Sequence, residues 1–306
     1  MSQLLLELFS EEIPARMQRR AADDLKRLAA EALKEASLSF GELHCYATPR
    51  RLALVIDDLA DAQPDVKEEK RGPRTDAPEK AVEGFLRANG ITLDACEKRV
   101  AGKGEFWFAV IERTGRPTRD VLAEILPTLI HKLPWQKSMR WGSGSFRWVR
   151  PLQRVMCLYD GRALEIETPD GVPCGNVTSG HRFLSPATFE GGYFDDYEKM
   201  LQRNNVVVRG KVRRDLIAEK AAALAEEAGF KLKRDAALLA EVGGLVEWPV
   251  VLMGKIDAVF MDLPAEVLVT SMRSHQKYFA VEDAHGKLGA RFIVVANMEA
   301  SDGGAA

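Results

Sequence analysis

The sequence contains no phosphate-cradling Gly-x-x-x-x-Gly-Lys-[Ser/Thr], no His-Glu-x-x-His pair and no Gly-x-Ser-x-Gly elbow. These absences set aside a P-loop nucleotidase, a zincin and an α/β-hydrolase. Cysteine is sparse: Cys45, Cys96, Cys157 and Cys174 lie far apart, with no Cys-x-x-Cys. Neither a disulfide framework nor a structural zinc site is expected, and a reducing cytoplasm is the expected location. No apolar run approaches membrane-spanning length, and Met1–Glu7 lacks the basic and long apolar regions of a secretion signal. Charge of one sign is not in excess either: 43 Lys and Arg stand against 45 Asp and Glu, a formal net charge of -2. The chain is therefore no uniformly basic nucleic-acid binder, and any RNA surface must be a local patch.

What is present is ample for a sizeable core: 306 residues, 46% of them hydrophobic. Leu4–Phe9 reads as a buried strand. Ser10-Glu11-Glu12 then reads as the cap and acidic first turn of a helix with Pro14 near its start and Met17, Ala21, Leu25, Leu28 and Ala32 on one face. Arg51–Leu59 reads as a strand. Asp61–Lys80 is charged, contains Pro64, Pro73 and Pro78, and reads as an exposed linker or flexible loop. A short helix over Ala81–Ala88 stops at Asn89-Gly90, an aromatic strand covers Glu105–Glu112, and a helix over Arg119–Ile130 is expected to kink or end at Pro127. Val155–Tyr159 and Ala163–Glu167 flank Asp160-Gly161, the strongest hairpin signal, because Asp-Gly tolerates the positive φ of a type I′ turn. Helices over Lys211–Ala228 and Ala236–Val246 and buried strands over Pro249–Gly254 and Arg291–Ala296 complete the pattern. Without a regular βαβα rhythm the fold class is α+β, mixed helices with mostly antiparallel sheets. The expected division is a strand–helix–strand lobe over 1–62, the linker over 63–80, a small α+β lobe over 81–150, a larger one over 151–300, and a tail at 301–306.

Candidate nucleophile–base pairs are weak. Ser271 and His275 stand one helical turn apart and His44 adjoins Cys45, but neither has an evident orienting carboxylate. Gly142-Ser-Gly-Ser145 resembles a phosphate cradle only superficially, and a turn is the plainer reading. The arginine groups carry more. Arg50 and Arg51 follow Thr48-Pro49; Arg140, Arg147 and Arg150 interleave with Trp141 and Trp148; Arg182 follows Gly180-His181; and Arg273, His275, Lys277 and Tyr278 crowd Leu268–Asp283. Guanidinium forks suit phosphate, and indole or imidazole rings can stack on bases. The competing reading is surface charge whose stems cover apolar neighbours, with the tryptophans in the core.

In order, Leu4–Ala15, Ala47–Ala53, Ser138–Gly142 with Phe146–Pro151, Gly180–Leu184, Glu241–Pro249 and Leu263–Asn297 resemble segments of the β subunit of bacterial heterotetrameric glycyl-tRNA synthetase. Arg71–Pro78 departs from that family in being shorter than its usual loop. The resemblance implies an N-terminal portion with a B3/B4-like module, truncated before an HD-like domain and an anticodon-binding region. It implies tRNA binding, with tRNA-Gly rather than DNA as the nucleic acid. It also implies assembly with an α subunit in a complex of two α and two β subunits, no membrane association, and no cofactor in this portion, since ATP and Mg are used by the α subunit. Alone, such a portion is expected to be inactive in glycine activation and aminoacylation. Two other functions are carried beside this one: an editing-type aminoacyl-tRNA hydrolase, and an assembly scaffold without RNA contact.

Overall fold

The computed structural model describes residues 2–102 and 104–299; the tail expected at 301–306 lies outside them. The chain opens with β1 (Ser2–Ser10), α1 (Ala15–Glu35), β2 (Leu43–Ala47) and β3 (Arg51–Leu59). β1 pairs antiparallel with β3, with Leu6 opposite Leu54. β1 runs on through Ser10, whose N–H donates to the Arg50 carbonyl at 2.8 Å. Ser10 is therefore a ladder residue rather than the expected cap. Pro14 takes the cap position with extended backbone, and the first turn of α1 has no acid.

The segment read as a linker contains β4 (Val66–Arg74), a correction to the expected loop. β4 joins β5 (Cys96–Ala101) and β6 (Gly104–Arg113) in a separate three-stranded sheet ordered β4-β6-β5, with α2 (Glu79–Asn89) beside β4. β4 is held by its ladder partner, not by burial of its own side chains. Arg71 lies 3.6 Å over the Phe106 ring, and Arg99 of β5 pairs with Glu69 at 2.9 Å. Pro73 falls where the register shifts between Arg71 and Arg74, a position where a missing N–H is tolerated.

Next come α3 (Thr118–Lys132), β7 (Met139–Arg140), β8 (Arg147–Trp148), β9 (Leu152–Tyr159), β10 (Arg162–Ala163), β11 (Cys174–Gly175), β12 (Val177–Ser179), β13 (Thr188–Glu190) and α4 (Phe194–Arg203). Pro127 does not end α3. An interior proline costs about 3 kcal/mol, and burial of Leu126, Leu129 and Ile130, at roughly 1.5–3 kcal/mol each, outweighs it. The main sheet runs β10-β9-β1-β3-β2, with β11 added parallel to β9. The hairpin across Asp160 (φ 52°) and Gly161 (φ 71°) forms as read, pairing Tyr159 with Arg162 and Leu158 with Ala163. It is shorter than expected, since the β10 strand stops at Ala163.

β1, β3 and β9 are nearly continuously apolar because both faces of this sheet are covered. Leu4, Leu6, Leu8, Leu54 and Cys157 pack under α1 and α3. Leu5, Val55, Met156 and Leu158 pack under Phe194, Tyr197 and Leu201 of α4. α3 thus packs in the core of the first strands, whereas β5 and β6 belong to the charged sheet.

The last third holds α5 (Gly210–Glu227), β14 (Lys231–Leu232), α6 (Ala236–Gly243), β15 (Val250–Lys255), α7 (Ala265–Ser271), β16 (Phe279–Glu282) and β17 (Leu288–Ala296). Its antiparallel sheet, ordered β14-β16-β17-β15, packs Phe279, Val281 and Ile293 against Ile217, Ala221 and Leu238. The end of α6 meets the start of α1: a Cβ on Gly244 would come within 2.8 Å of the Ala15 Cβ, and Gln18 donates to the Gly244 carbonyl at 2.6 Å.

Candidate nucleic-acid interface

One end of the main sheet gathers most of the arginines singled out by sequence. β1 finishes there, β3 and β9 begin there, and β12 ends there. What each arginine faces differs sharply.

Arg51 has no accessible surface. Its Nε donates to Glu247 at 3.0 Å, an Nη lies 3.4 Å from Glu7, and both Nη atoms reach the Ser179 carbonyl at 3.2 Å. Thr48 donates to Glu247 at 2.6 Å, and Thr178 and Tyr197 donate to Glu7. Burial alone would pull the Arg51 pKa down; Glu247 and then Glu7 outweigh it and hold it above its ordinary value. Burial, and then Glu7, push the Tyr197 phenol well up, so it stays a donor. Arg213 completes the network through carbonyls of Gly243, Val207, Val208 and Ala47, at 2.6–3.0 Å. Burial lowers its pKa to about 10. Arg51 cannot reach a phosphate from this position; it ties the first strands to the last third of the chain. The expectation that it contacts tRNA is corrected.

Arg50 is nearly buried and lies 4.6 Å over the Phe9 ring, with one bond of 3.3 Å to Gln153 and no partner for Nε. Arg182 sits between Glu11 (2.9 Å) and Glu12 (2.7 Å), so the acids read as a helix start serve this guanidinium instead. Burial would raise the Glu12 carboxyl, but its own backbone N–H and then Arg182 hold it below the usual carboxylate range.

The Trp-Arg turn is the hairpin β7–β8, with Trp148 in the core and Arg140 and Arg147 at the surface. Trp148 is buried, edge-on to Trp135 with ring centres 4.9 Å apart and stacked on Phe146 at 5.4 Å. Trp141 Nε1 donates to the Trp148 carbonyl at 3.0 Å. Trp148 is thus an anchor in the core rather than a base platform. Arg140 and Arg147 are exposed and directly opposite each other across the strand pair. Arg147 reaches only Ser138, donating to its carbonyl at 2.9 Å, and Arg140 has no partner among the described residues. Arg150 donates to the neighbouring Val149 carbonyl at 2.9 Å. Like charges directly opposite each other in a strand pair repel. The glycine-rich loop between them is closed to phosphate, because the N–H groups of Ser145 and Phe146 already hold Asp170 at 3.2 and 2.9 Å.

The late cluster lies elsewhere, beside α6. Arg273 pairs with Asp235 at 2.5 Å and Lys277 with Glu241 at 3.0 Å. The Arg273 guanidinium holds the Asp235 carboxyl below its usual range, and Asp235 in turn raises Arg273. His275 is exposed on the π-helical turn Met272–Gln276. Tyr278 is already stacked on Phe292, ring centres 4.4 Å apart.

Comparison with known proteins decides the family. Residues 4–305 match the family described as glycyl-tRNA synthetase beta subunit. The chain belongs to this family. It is 50% identical over 308 residues to the glycine–tRNA ligase beta subunit of Dinoroseobacter shibae, covering 100% of this chain and 43% of that protein. It is 49% identical over 330 residues to the corresponding subunit of Rhodospirillum centenum, covering 100% of this chain and 46% of that protein. The chain spans less than half the length of these curated relatives.

Other sequence candidates for chemistry do not assemble among the described residues. His44 Nε2 faces Glu42 at 2.9 Å rather than Cys45, and burial pushes the Cys45 thiol up, away from thiolate. Among the described residues no hydrogen bond joins Ser271 to His275. No described helix is long and apolar enough to cross a membrane. Sequence reading missed Arg154, which reaches Ser179 Oγ at 3.1 Å and lies 5.9 Å from the Phe9 ring, and the buried Arg213. Arg213 was findable: with Ile217, Ala221 and Ala225 it repeats every four residues on the buried face of α5.

Proposed function

We propose that this chain contributes tRNA-contacting surface to a cytoplasmic glycine–tRNA ligase, as a portion of the β subunit that does not itself form the adenylate. In this reading an α subunit holds glycine, ATP and Mg, and the two subunits assemble as a heterotetramer acting on tRNA-Gly. The larger α+β lobe over 151–300 would be the B3/B4-like module. The observation that carries the RNA reading is the β7–β8 hairpin, where Arg140 and Arg147 face each other without a carboxylate among the described residues. A polyanion relieves that repulsion, and guanidinium pairs suit phosphate.

The hydrolase reading gains nothing from the raised Cys45 thiol or from the His44–Glu42 pair, so RNA contact is preferred to editing chemistry. Titrating the purified chain with tRNA across a salt series tests the proposal. Log affinity is expected to fall with log salt by about 0.7–0.9 per phosphate contact. A flat response would return the chain to a scaffold without RNA contact. Glycine-dependent pyrophosphate exchange is expected to be absent from the chain alone; its appearance there would overturn the assigned division of labour.

A further inference from the structure

The turn after β12 holds one large ring in solvent on a rigid frame. Phe183 is 62% exposed, whereas His181, two residues earlier, has no accessible surface. His181 Nδ1 accepts from the N–H groups of Phe183 and Leu184 at 3.3 and 3.2 Å. The His181 N–H donates to the Asn204 carbonyl at 2.9 Å, and the Ser185 N–H closes the turn on the His181 carbonyl at 3.0 Å. Ser185 Oγ bonds Asn205 at 2.8 Å. Gly180 is pressed into the same wall: a Cβ there would meet the Ser185 carbonyl oxygen at 2.4 Å and the Asn204 Cβ at 2.7 Å. An exposed ring on so fixed a turn loses little conformational freedom when it is covered, which is the condition for a binding anchor.

The surroundings say what would cover it. The Arg182 guanidinium lies 5.9 Å from the Phe183 ring centre and is oriented by Glu11 and Glu12. Arg50 and Arg154 belong to the same sheet end, both over Phe9, and neither has a carboxylate partner among the described residues. Arg50 is close enough to Glu247, Glu11 and Arg182 to feel their charges, and its buried Nε has no acceptor among the described residues. A protein hot spot would put further exposed apolar side chains beside the ring. At this sheet end three arginines, Arg50, Arg154 and Arg182, stand against two acids, Glu11 and Glu12.

We infer that Phe183 is a stacking platform for an unpaired nucleotide of bound RNA, with Arg182 held beside the ring by Glu11 and Glu12 and Arg154, which has no carboxylate among the described residues, at the same sheet end. This rests on the RNA-binding reading above and adds a specific ligand element to it. Ring-on-base stacking is tolerant of sequence, because every base has a π face.

The test compares two probes on the full chain: a 12-nucleotide single-stranded RNA carrying 2-aminopurine, and a blunt RNA duplex of equal length. Wild type is expected to quench the 2-aminopurine on binding the single strand. Phe183→Ala should lower single-strand affinity by about 5- to 150-fold and remove the quenching. Duplex affinity and the salt slope should stay unchanged. Phe183→Trp should restore both affinity and quenching. Equal losses on the two probes, or no loss on either, would overturn the platform while leaving RNA binding intact. So would a Phe183→Ala defect confined to association with the α subunit, which would mark a protein contact. Salt-independent or absent binding of both probes by wild type would overturn this inference together with the reading it rests on.

Discussion

The β7–β8 hairpin and the segment from Met272 to Tyr278 carry similar residues and differ in what faces them. In the hairpin, Arg140 and Arg147 face each other, and neither meets a carboxylate among the described residues. In the later segment, Asp235 and Glu241 of the α6 region neutralise Arg273 and Lys277. The aromatic residues divide too: Trp148 anchors the hairpin from below, while Tyr278 is occupied by Phe292. A cluster of cations in sequence therefore says little about RNA until the acids brought from other elements are known. Arg51 marks the far limit, fully buried between two glutamates.

That limit gives the largest expected effect. Glu247→Ala would leave buried Arg51 with Glu7 as its one carboxylate partner and Arg213 with carbonyl partners alone, and a loss of about 3–5 kcal/mol in urea-denaturation stability is expected. The salt slope of RNA binding by the remaining folded protein should not change. A near-neutral effect on stability would mean that the network does not hold the first strands to the last third. Next in size is Arg147→Glu, which sets a carboxylate opposite Arg140 and turns the hairpin into a copy of the later segment. RNA affinity should fall on the order of 100-fold, at roughly tenfold for each of the two arginines withdrawn from phosphate, with the melting temperature unchanged or slightly raised. Retained affinity would remove the hairpin from the interface.

The converse change is smaller. Asp235→Asn with Glu241→Gln frees Arg273 and Lys277, and asparagine keeps the helix cap that Asp235 provides to Leu238. RNA affinity should rise several-fold, with a slope steeper by about one per cation freed. An unchanged slope would place the later segment away from RNA altogether.

Smallest is a pH effect. The Asp235 carboxyl is depressed by Arg273, so its stabilisation is present above its unfolded value of about 3.9 and is lost as pH falls through the lower folded value. The melting-temperature difference between wild type and Asp235→Asn should be constant from pH 5 to 8, begin to shrink below about pH 4 and vanish only below the lower folded value. A difference that vanished near neutrality would contradict the pairing.

Much of the fold was legible, and where it was not the reasons are physical. Period and turn chemistry located β1, β3, α5 and the Asp160-Gly161 turn because those signals are local. β4 was missed because its residues are charged throughout and its order comes from β6, some forty residues on. That Pro127 does not end α3 was not legible locally, because burial against a distant core outweighs its cost. At the candidate interface, sequence found the arginines but not their partners. Glu247 lies 196 positions from Arg51, and Asp170 lies 24 from the loop it closes. No local pattern encodes such pairings. Phe183 stood in a segment already singled out, and its exposure depends on Asn204 and His181 fixing the turn from beneath.

The central claim is that unpaired cations, not clustered ones, make the RNA contact. The direct measurement is the salt dependence of tRNA affinity for Arg140→Ala/Arg147→Ala beside Arg273→Ala/Lys277→Ala, with thermal stability of each. A slope shallower by about two is expected for the hairpin pair and an unchanged slope for the later pair, whose only cost is a slightly lower melting temperature. Equal slopes for the two variants, or a shallower slope for the later pair alone, would contradict the claim.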